Sequence, residues 1–178
     1  MGGDDRLRLF CALRLPEVAL DRIVAWQHEH LRGAGHVVVR ENLHVTLAFL
    51  GSRARDEVPA IEEELRRAAA AAGPIELEPV GYRETRTVGM LVLRDEEGHA
   101  GALARDLHGR LERLGVYRRE KREWLPHLTV VRFRERPRLR PGLPELGRFP
   151  PSDAAAYLSR LSPGGAQYHV LEAMPLGG

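Results

Sequence analysis

The sequence predicts an α+β fold in which two pseudo-symmetric lobes flank a central cleft, with the helices on the outside. Strand-like and helix-like segments alternate, and several strand pairs are joined as hairpins, which favours antiparallel or mixed sheets over a doubly wound parallel sheet. In addition, two similar strands, 43–50 and 127–133, fall in corresponding places in the two halves of the chain. We therefore expect a duplicated fold, one domain over residues 1–178 made of two intertwined lobes, each contributing one strand to the cleft.

The first half of the chain contains three predicted strands and two predicted helices. Alternation of apolar and polar residues marks the strands, whereas Pro16 and Gly33 bound the first helix and Gly73-Pro74 ends the second. Glu41-Asn42 is a predicted tight turn between the second and third strands. In order, these segments are strand 7–15, helix 16–33, strands 36–40 and 43–50, and helix 56–72.

The second half continues with further strands and a third helix, on which four leucines spaced by three or four residues form one stripe. The sequence "PGG" at 163–165 predicts a closing hairpin. Residues 134–151 are rich in Arg and Pro without a periodic pattern and predict an irregular loop. In order, the regular segments are strands 75–82 and 87–94, helix 97–114, strand 127–133, and strands 154–162 and 166–174.

Composition excludes several classes of protein. With 43% apolar and 29% charged residues in 178 positions, the chain has the composition of a soluble globular domain rather than a disordered or fibrous one. No apolar run reaches the ~20 residues that span a bilayer, and "MGGDDRLRLF" lacks the layout of a signal peptide. We expect a cytoplasmic protein with no membrane partner. The single cysteine, Cys11, excludes an intrachain disulfide and a thiolate metal cluster.

The two similar strands carry the same polar pattern, His44-x-Thr46 and His127-x-Thr129. Residues i and i+2 of a strand share a face, so each pair presents an imidazole and a hydroxyl on one side. A single such pair is typical of an ordinary polar sheet surface, but core packing gives no reason to repeat it. Two converging imidazoles can act as general base and general acid near neutral pH, while the hydroxyls donate hydrogen bonds to phosphate oxygens.

These motifs and their flanks resemble the 2H phosphoesterase superfamily, and within it the LigT-like RNA 2′,3′-cyclic phosphodiesterases, also called 2′-5′ RNA ligases. The resemblance rests on "ENLHVTLAFLG" and "WLPHLTVVRF", on the opening "RLFCALRLPE", and on the ending "YLSRLSPGGAQYHVLEAMPL". One departure is Val130-Val131, where Leu-Ala is commoner. The resemblance implies a bilobal fold with the two motif strands facing each other across the cleft.

The resemblance also implies an activity, namely hydrolysis of RNA 2′,3′-cyclic phosphate ends to 2′-phosphomonoesters without metal or cofactor. The expected catalytic residues are His127 as base and His44 as acid, although the pseudo-symmetry makes the two nearly interchangeable. Thr46, Thr129 and Arg132 are the expected phosphate-binding residues. Arg132 comes five residues after His127, so strict alternation points it away from the site unless the strand bends or bulges.

Several alternatives stay open at this point. The chain could be a nucleotide- or RNA-binding module without turnover, or its substrates could be 2′-5′ oligonucleotides or an ADP-ribose cyclic phosphate. Microscopic reversibility also permits 2′-5′ RNA ligation. The expected partners are RNA ends or nucleotides that carry a cyclic phosphate, and the expected state is a monomer.

Other polar residues carry weaker indications. For the basic tracts 118–123 and 132–140, two interpretations stay open: a contact to an RNA backbone, or a solvated loop. Tyr82, Trp124 and Phe133 could stack on a base, but we expect them to pack in the core. The remaining histidines are not spaced as metal ligands, and we expect surface or structural roles for His36, His99, His108 and His169.

Overall fold

Two four-stranded antiparallel sheets and three helices make up the structure, a computed structural model that describes residues 5–177. This arrangement confirms the α+β class. In chain order the elements are β1 (Arg6–Arg14), α1 (Glu17–His30), β2 (His36–Val37), β3 (Val45–Ala54), α2 (Val58–Ala71), β4 (Glu78–Glu84), β5 (Val88–Arg94), α3 (His99–Arg113), β6 (His127–Arg132), β7 (Asp153–Ser162) and β8 (Gly165–Met174).

Two expectations from the sequence concern a signal peptide and a membrane-spanning segment. The stretch predicted to lack a signal peptide begins in residues 1–4, which lie outside the described residues. Across residues 5–177, no helix combines the length and apolar character needed to cross a membrane.

The two motif strands belong to different sheets. The first sheet has the strand order β3-β1-β7-β8 and the second has the order β2-β6-β5-β4. β3, which carries Thr46, is an edge strand of the first sheet, whereas β6, which begins at His127, is an inner strand of the second. The two strands contact each other, so the sheets meet along the motifs.

β1 is buried on both faces, and this places one of its faces beneath the cleft. Leu9, Cys11 and Leu13 point into the main core, which all three helices share. Phe10 and Ala12 point to the opposite face, where they form a second cluster with Ala155 and Tyr157 of β7. Because successive side chains of a strand alternate, a continuous apolar run from 9 to 13 is what a strand buried on both sides requires.

The predicted turn between the second and third strands does not form a hairpin. A three-residue 3₁₀ turn, Arg40–Asn42, does reverse the chain there, but β2 pairs with β6 and β3 pairs with β1. The chain therefore crosses from the second sheet to the first at this turn. The segment predicted as strand 36–40 keeps only His36–Val37 as regular strand, because the residues after Val37 make this crossing.

The other predicted elements hold with small shifts at their ends. A 3₁₀ turn at Arg55–Glu57 precedes α2, and β4 begins at Glu78 rather than at residue 75. Residues 134–151 are irregular apart from a single bridge between Leu77 and Phe149. β7 and β8 form the predicted closing hairpin.

The irregular loop that follows β6 is fixed by one buried carboxylate. Glu84 on β4 has a side chain only 2% exposed. It accepts hydrogen bonds from the backbone N–H groups of Arg138 (2.8 Å) and Leu139 (2.9 Å) and from the Tyr82 hydroxyl (2.8 Å). Burial raises the pKa of Glu84, but these donors outweigh it and hold the pKa below the ordinary glutamate value.

We expect Glu84→Gln to lower the free energy of unfolding by about 1–3 kcal/mol, because an amide cannot accept all of these bonds and its NH₂ would face N–H donors. Urea unfolding at pH 7 measures the loss. Since the folded-state pKa is depressed, the contribution of Glu84 is complete at neutral pH and is lost as the pH falls below about 4.5.

Glu78→Gln on the same strand is the matched control. Glu78 pairs with Arg94 at 2.6 Å near the surface, so its loss should cost much less than the loss of Glu84, because solvent screens an exposed ion pair. Equal losses for the two variants would contradict the anchoring role of Glu84.

Candidate active site

His44 is held by its own neighbours in a single tautomer. It follows the 3₁₀ turn directly, and its Nδ1 lies 2.8 Å from the carbonyl oxygen of Asn42. A carbonyl can only accept, so Nδ1 carries the proton and donates it. Nε2 therefore has a free lone pair, which accepts a hydrogen bond from the Thr46 hydroxyl at 2.9 Å.

His127 repeats this arrangement in the second half of the chain. Its Nδ1 lies 2.9 Å from the carbonyl oxygen of Leu125, which is again the residue two positions earlier. The same tautomer follows, with Nε2 unprotonated in the neutral ring. Thr129 is two residues further along β6, on the same side as His127.

The structure brings all five predicted site residues into one cleft of about 620 Å³. Within residues 5–177, no aspartate or glutamate lines this cleft. Its lining residues are Arg8, Phe10, His36, Val38, Val39, Asn42, His44, Thr46, Phe49, His127, Thr129, Arg132, Ser159, Leu161, Ser162, Gly164, Gly165, Ala166, Gln167 and Tyr168. Arginines and imidazoles without nearby carboxylates make the cleft a favourable site for an anion.

A β-bulge explains how Arg132 reaches the cleft. Along the pairing of β5 with β6, Met90 lies opposite Thr129 and Gly89 lies opposite Val131, so Val130 is one extra residue. Val130 and Val131 are both buried, and the alternation resumes one position late. Arg132 therefore lies on the same side as His127 and Thr129, as the prediction of a bent or bulged strand allowed.

β3 carries an equivalent bulge after its own motif. Cys11 lies opposite Ala48 and Ala12 lies opposite Thr46, so Leu47 is the extra residue. Leu47 and Ala48 are both buried, and Phe49 then lies in the cleft. In both strands, the residue after the threonine bulges and the side chain three positions after the threonine enters the cleft.

Buried side chains from two helices hold the two bulges. Gln27 of α1 donates from Nε2 to the carbonyl oxygen of Val130 at 2.9 Å, and His108 of α3 donates from Nε2 to that of Leu47 at 2.7 Å. Gln27 also bonds the carbonyl of Val38 at 3.0 Å. The Val130 carbonyl also accepts a hydrogen bond from the backbone N–H of Val38 at 3.0 Å, so Gln27 adds a second donor there. Such buried donors stabilise the carbonyls of a bulge inside the core.

The pKa of His44 is lowered to about 4. Burial is the main cause, since its ring lies against Phe10, Tyr168 and Tyr157 at centroid distances of 4.8, 5.4 and 5.8 Å. The positive charges of Arg132 and His127 lower the pKa further, and together these effects outweigh the bond to Asn42. His44 is thus a neutral imidazole at physiological pH, and its Nε2 lone pair is occupied by the hydrogen bond from Thr46.

Three aromatic residues considered for base stacking do not line the cleft. Phe133 is buried, and Tyr82 and Trp124 pack against the core. Trp124 also donates its indole N–H to the carbonyl oxygen of Thr46 at 3.0 Å, so it holds the backbone of the first motif. Part of the basic tract beside the second motif is paired, because Arg136 lies against Glu84.

Sequence reasoning missed several residues around the motifs. Phe10, Asn42 and Tyr168 surround His44, and His36, set aside in the sequence, lines the rim of the cleft. The bulges did leave a signal, because adjacent apolar residues, Leu47-Ala48 and Val130-Val131, break the alternation at matching positions. Within the described chain, no group of three or more His, Cys, Asp or Glu side chains is placed to hold a metal ion.

We expect Gln27→Met, which keeps the length of the side chain and removes the donor, to lower the free energy of unfolding by about 1–3 kcal/mol, because the buried bonds to the Val38 and Val130 carbonyls are lost and Val130 keeps only the backbone N–H of Val38. The affinity for inorganic phosphate should fall as well, because the Val130 bulge positions Arg132. Chemical denaturation and phosphate titration measure the two effects. Glu29→Met, an exposed position of the same helix, is the control; a Gln27→Met protein with unaltered stability and phosphate affinity would refute the role assigned to this bond.

Comparisons with known proteins agree with this geometry. The family model of the 2′-5′ RNA ligase superfamily matches residues 15–162. The chain is 33% identical over 136 residues to an RNA 2′,3′-cyclic phosphodiesterase of Archaeoglobus fulgidus, covering 73% of this chain and 74% of the relative. It is 30% identical over 126 residues to the enzyme of the same name from Escherichia coli, covering 70% of this chain and 71% of the relative.

Solved structures give the same result for the whole chain. The E. coli protein LigT in its apo form superposes with a TM-score of 0.82 at 26% identity, covering 98% of this chain and 99% of LigT. A protein of Thermus thermophilus superposes with a TM-score of 0.82 at 30% identity, covering 97% and 99% of the two chains. The family predicted from the two His-x-Thr motifs is confirmed: the chain belongs to the 2′-5′ RNA ligase superfamily.

Proposed function

We propose that the protein hydrolyses RNA 2′,3′-cyclic phosphate ends to 2′-phosphomonoesters by acid and base catalysis between His44 and His127. The observation that carries the proposal is the pair of His-x-Thr motifs, whose imidazoles share one cleft that no described carboxylate lines. The names of the relatives, RNA 2′,3′-cyclic phosphodiesterases, support the same substrate. Residues of the cleft can supply the base, the acid, the hydroxyl donors to the phosphate and the positive charge that this reaction requires.

Hydrolysis of the cyclic diester requires proton transfers on both sides of the phosphorus atom. Water attacks phosphorus as the base removes its proton, and the bond from phosphorus to the 3′ oxygen breaks as the acid protonates that oxygen. The product keeps the phosphate on the 2′ oxygen. Two imidazoles on opposite walls of one cleft can serve the entering and the leaving oxygen in the same step.

The lowered pKa of His44 favours it as the base. With a pKa of about 4, the Nε2 lone pair of His44 is available throughout the neutral range, and only a small fraction of the ring carries a proton to donate. This is the reverse of the assignment expected from the sequence, in which His127 is the base. His127 is then the acid, and its Nδ1 bond to Leu125 orients the ring for transfer from Nε2.

The remaining residues of the motifs are placed to bind the phosphate. The Thr46 hydroxyl, which bonds His44 Nε2 in the absence of substrate, can turn to donate to a non-bridging oxygen and so release the lone pair of the base. Thr129 supplies the equivalent hydroxyl from β6. Arg132 contributes positive charge and N–H donors toward the same oxygens, where charge accumulates as attack proceeds.

We expect His44→Ala and His127→Ala each to lower kcat for a 2′,3′-cyclic nucleotide by about 10²- to 10⁴-fold, because each removes one proton-transfer group. His169→Ala, which removes an exposed histidine outside the cleft lining, is the matched control and should retain full activity. Circular dichroism checks that the variants are folded. Full turnover by either cleft variant would overturn the proposed pair, and loss of wild-type activity on EDTA treatment, restored by a metal, would overturn the metal-free mechanism.

A substrate with a leaving group that needs no proton separates the two roles. We expect His127→Ala to retain much of the wild-type rate on bis(4-nitrophenyl) phosphate, because nitrophenolate leaves unprotonated, whereas His44→Ala should stay inactive for lack of a base. The rate of His127→Ala should then depend on His44 alone and fall as the pH drops through the pKa of His44, which is about 4 in the wild type and rises when the charge of His127 is removed. Retained activity in His44→Ala instead of His127→Ala would restore the opposite assignment.

The alternatives differ from this proposal in measurable ways. A binding module would bind cyclic phosphates without converting any of them. An enzyme for 2′-5′ oligonucleotides or for an ADP-ribose cyclic phosphate would use the same histidines with another preferred substrate, and ligation would use the 5′-hydroxyl of a second RNA in place of water as the nucleophile. The cytoplasmic location and the monomeric state remain predictions from the sequence.

A further inference from the structure

The bulge after the first motif brings an aromatic ring into the cleft that the proposed chemistry does not use. Phe49 is 49% exposed, which is unusual for a phenylalanine between the buried residues Ala48 and Leu50. Its place in the strand pairing is opposite Phe10 of β1. A ring exposed in this way inside a cleft indicates a surface that a ligand covers.

Arg8 completes this surface. Its guanidinium carbon lies 4.7 Å from the centre of the Phe49 ring, a stacked cation–π arrangement. Many arginines of the chain pair with carboxylates, but within residues 5–177 no aspartate or glutamate forms a salt bridge with Arg8. The pair thus offers a flat face and an uncompensated positive charge side by side.

The Arg8–Phe49 pair lies beyond the reacting centre rather than at it. Phe10 lies between them, since its ring contacts His44 at 4.8 Å on one side and its backbone pairs with Phe49 on the other. Phe10 itself is only 3% exposed and cannot stack on a ligand. Thr46 and Phe49 lie opposite Ala12 and Phe10, which are two residues apart on β1, a separation of about 7 Å along the strand, which is the scale of one nucleotide.

From this placement we propose that Arg8 and Phe49 form a second nucleotide subsite, which binds the nucleotide preceding the cyclic phosphate end of a single-stranded RNA. The inference rests on the proposed function. Stacking on aromatic rings and guanidinium planes is how single-stranded bases are bound without regard to sequence, and the charge of Arg8 suits the phosphate that joins the two nucleotides. The terminal nucleoside is nearer to Asn42 and Tyr168, which adjoin His44.

The test compares adenosine 2′,3′-cyclic phosphate with the dinucleotide that ends in the same cyclic phosphate. We expect the wild type to prefer the dinucleotide in kcat/KM, and we expect Phe49→Leu and Arg8→Gln to lower the ratio of dinucleotide to mononucleotide by about 5- to 100-fold. A dinucleotide with an abasic residue in the preceding position should lower the wild-type ratio by the same factor. In Phe49→Leu, the abasic dinucleotide should lower the ratio no further, because the aromatic ring and the base that stacks on it contribute as a pair.

Arg160→Gln is the matched control, because Arg160 is an exposed arginine of the neighbouring β7 that does not line the cleft. An unchanged ratio in Phe49→Leu would overturn the subsite, as would an equal loss on both substrates, which would place Phe49 against the terminal nucleotide instead. Dissociation constants of the mono- and dinucleotide 2′-phosphates provide a readout without turnover. If the wild type hydrolyses neither substrate, the proposed function fails, and equal dissociation constants would then overturn the subsite separately.

Discussion

At Leu47 and at Val130 the chain carries one residue more than the strand beside it, and both extra carbonyls accept hydrogen bonds from buried side chains. The geometry of the cleft depends on these two bulges. Without the bulges, strict alternation would turn Phe49 away from Thr46 and Arg132 away from His127. With them, each motif presents an imidazole, a hydroxyl and one further side chain in a single row.

The donors that hold the bulges are exchanged between the two halves of the chain. Gln27 belongs to α1, which follows the first strand, yet it bonds the second motif strand. His108 belongs to α3, which precedes the second motif strand, yet it bonds the first. Each half therefore supports the motif of the other, so that loosening one helix is expected to disturb the opposite wall of the cleft.

Environment distinguishes two histidines that the sequence presents as equivalent. Both donate Nδ1–H to the carbonyl two residues earlier, but only His44 is enclosed by the rings of Phe10, Tyr157 and Tyr168. Enclosure lowers the pKa of His44 to about 4 and so keeps its Nε2 unprotonated in the neutral range, the form that a base requires. None of these aromatic neighbours adjoins His44 in the sequence, because they come from β1, β7 and β8.

The sequence was sufficient for the parts of the site that depend on local periodicity. The two motifs, the strands that carry them and the closing hairpin follow from alternation and turn residues. The side of β6 on which Arg132 lies could not be predicted from the sequence. It depends on the bulge at Val130, whose carbonyl bonds Gln27 of a distant helix, and two adjacent valines do not by themselves show that a bulge forms there. The sequence predicts the tight turn at Glu41-Asn42 but not which sheets the flanking strands join, because contacts far along the chain decide that. Phe49 lies in an apolar stretch of a predicted strand, and only its exposure in the folded chain distinguishes it from the buried Ala48 and Leu50 beside it.

The central claim is that the two motifs act on one phosphorus atom from opposite sides, with the 3′ oxygen as the leaving group. Product analysis on an RNA with a 2′,3′-cyclic phosphate end, treated with the wild-type protein in the presence of EDTA, tests it most directly. The account predicts a 2′-phosphomonoester as the product. A 3′-phosphate, or an end that stays cyclic, would contradict it.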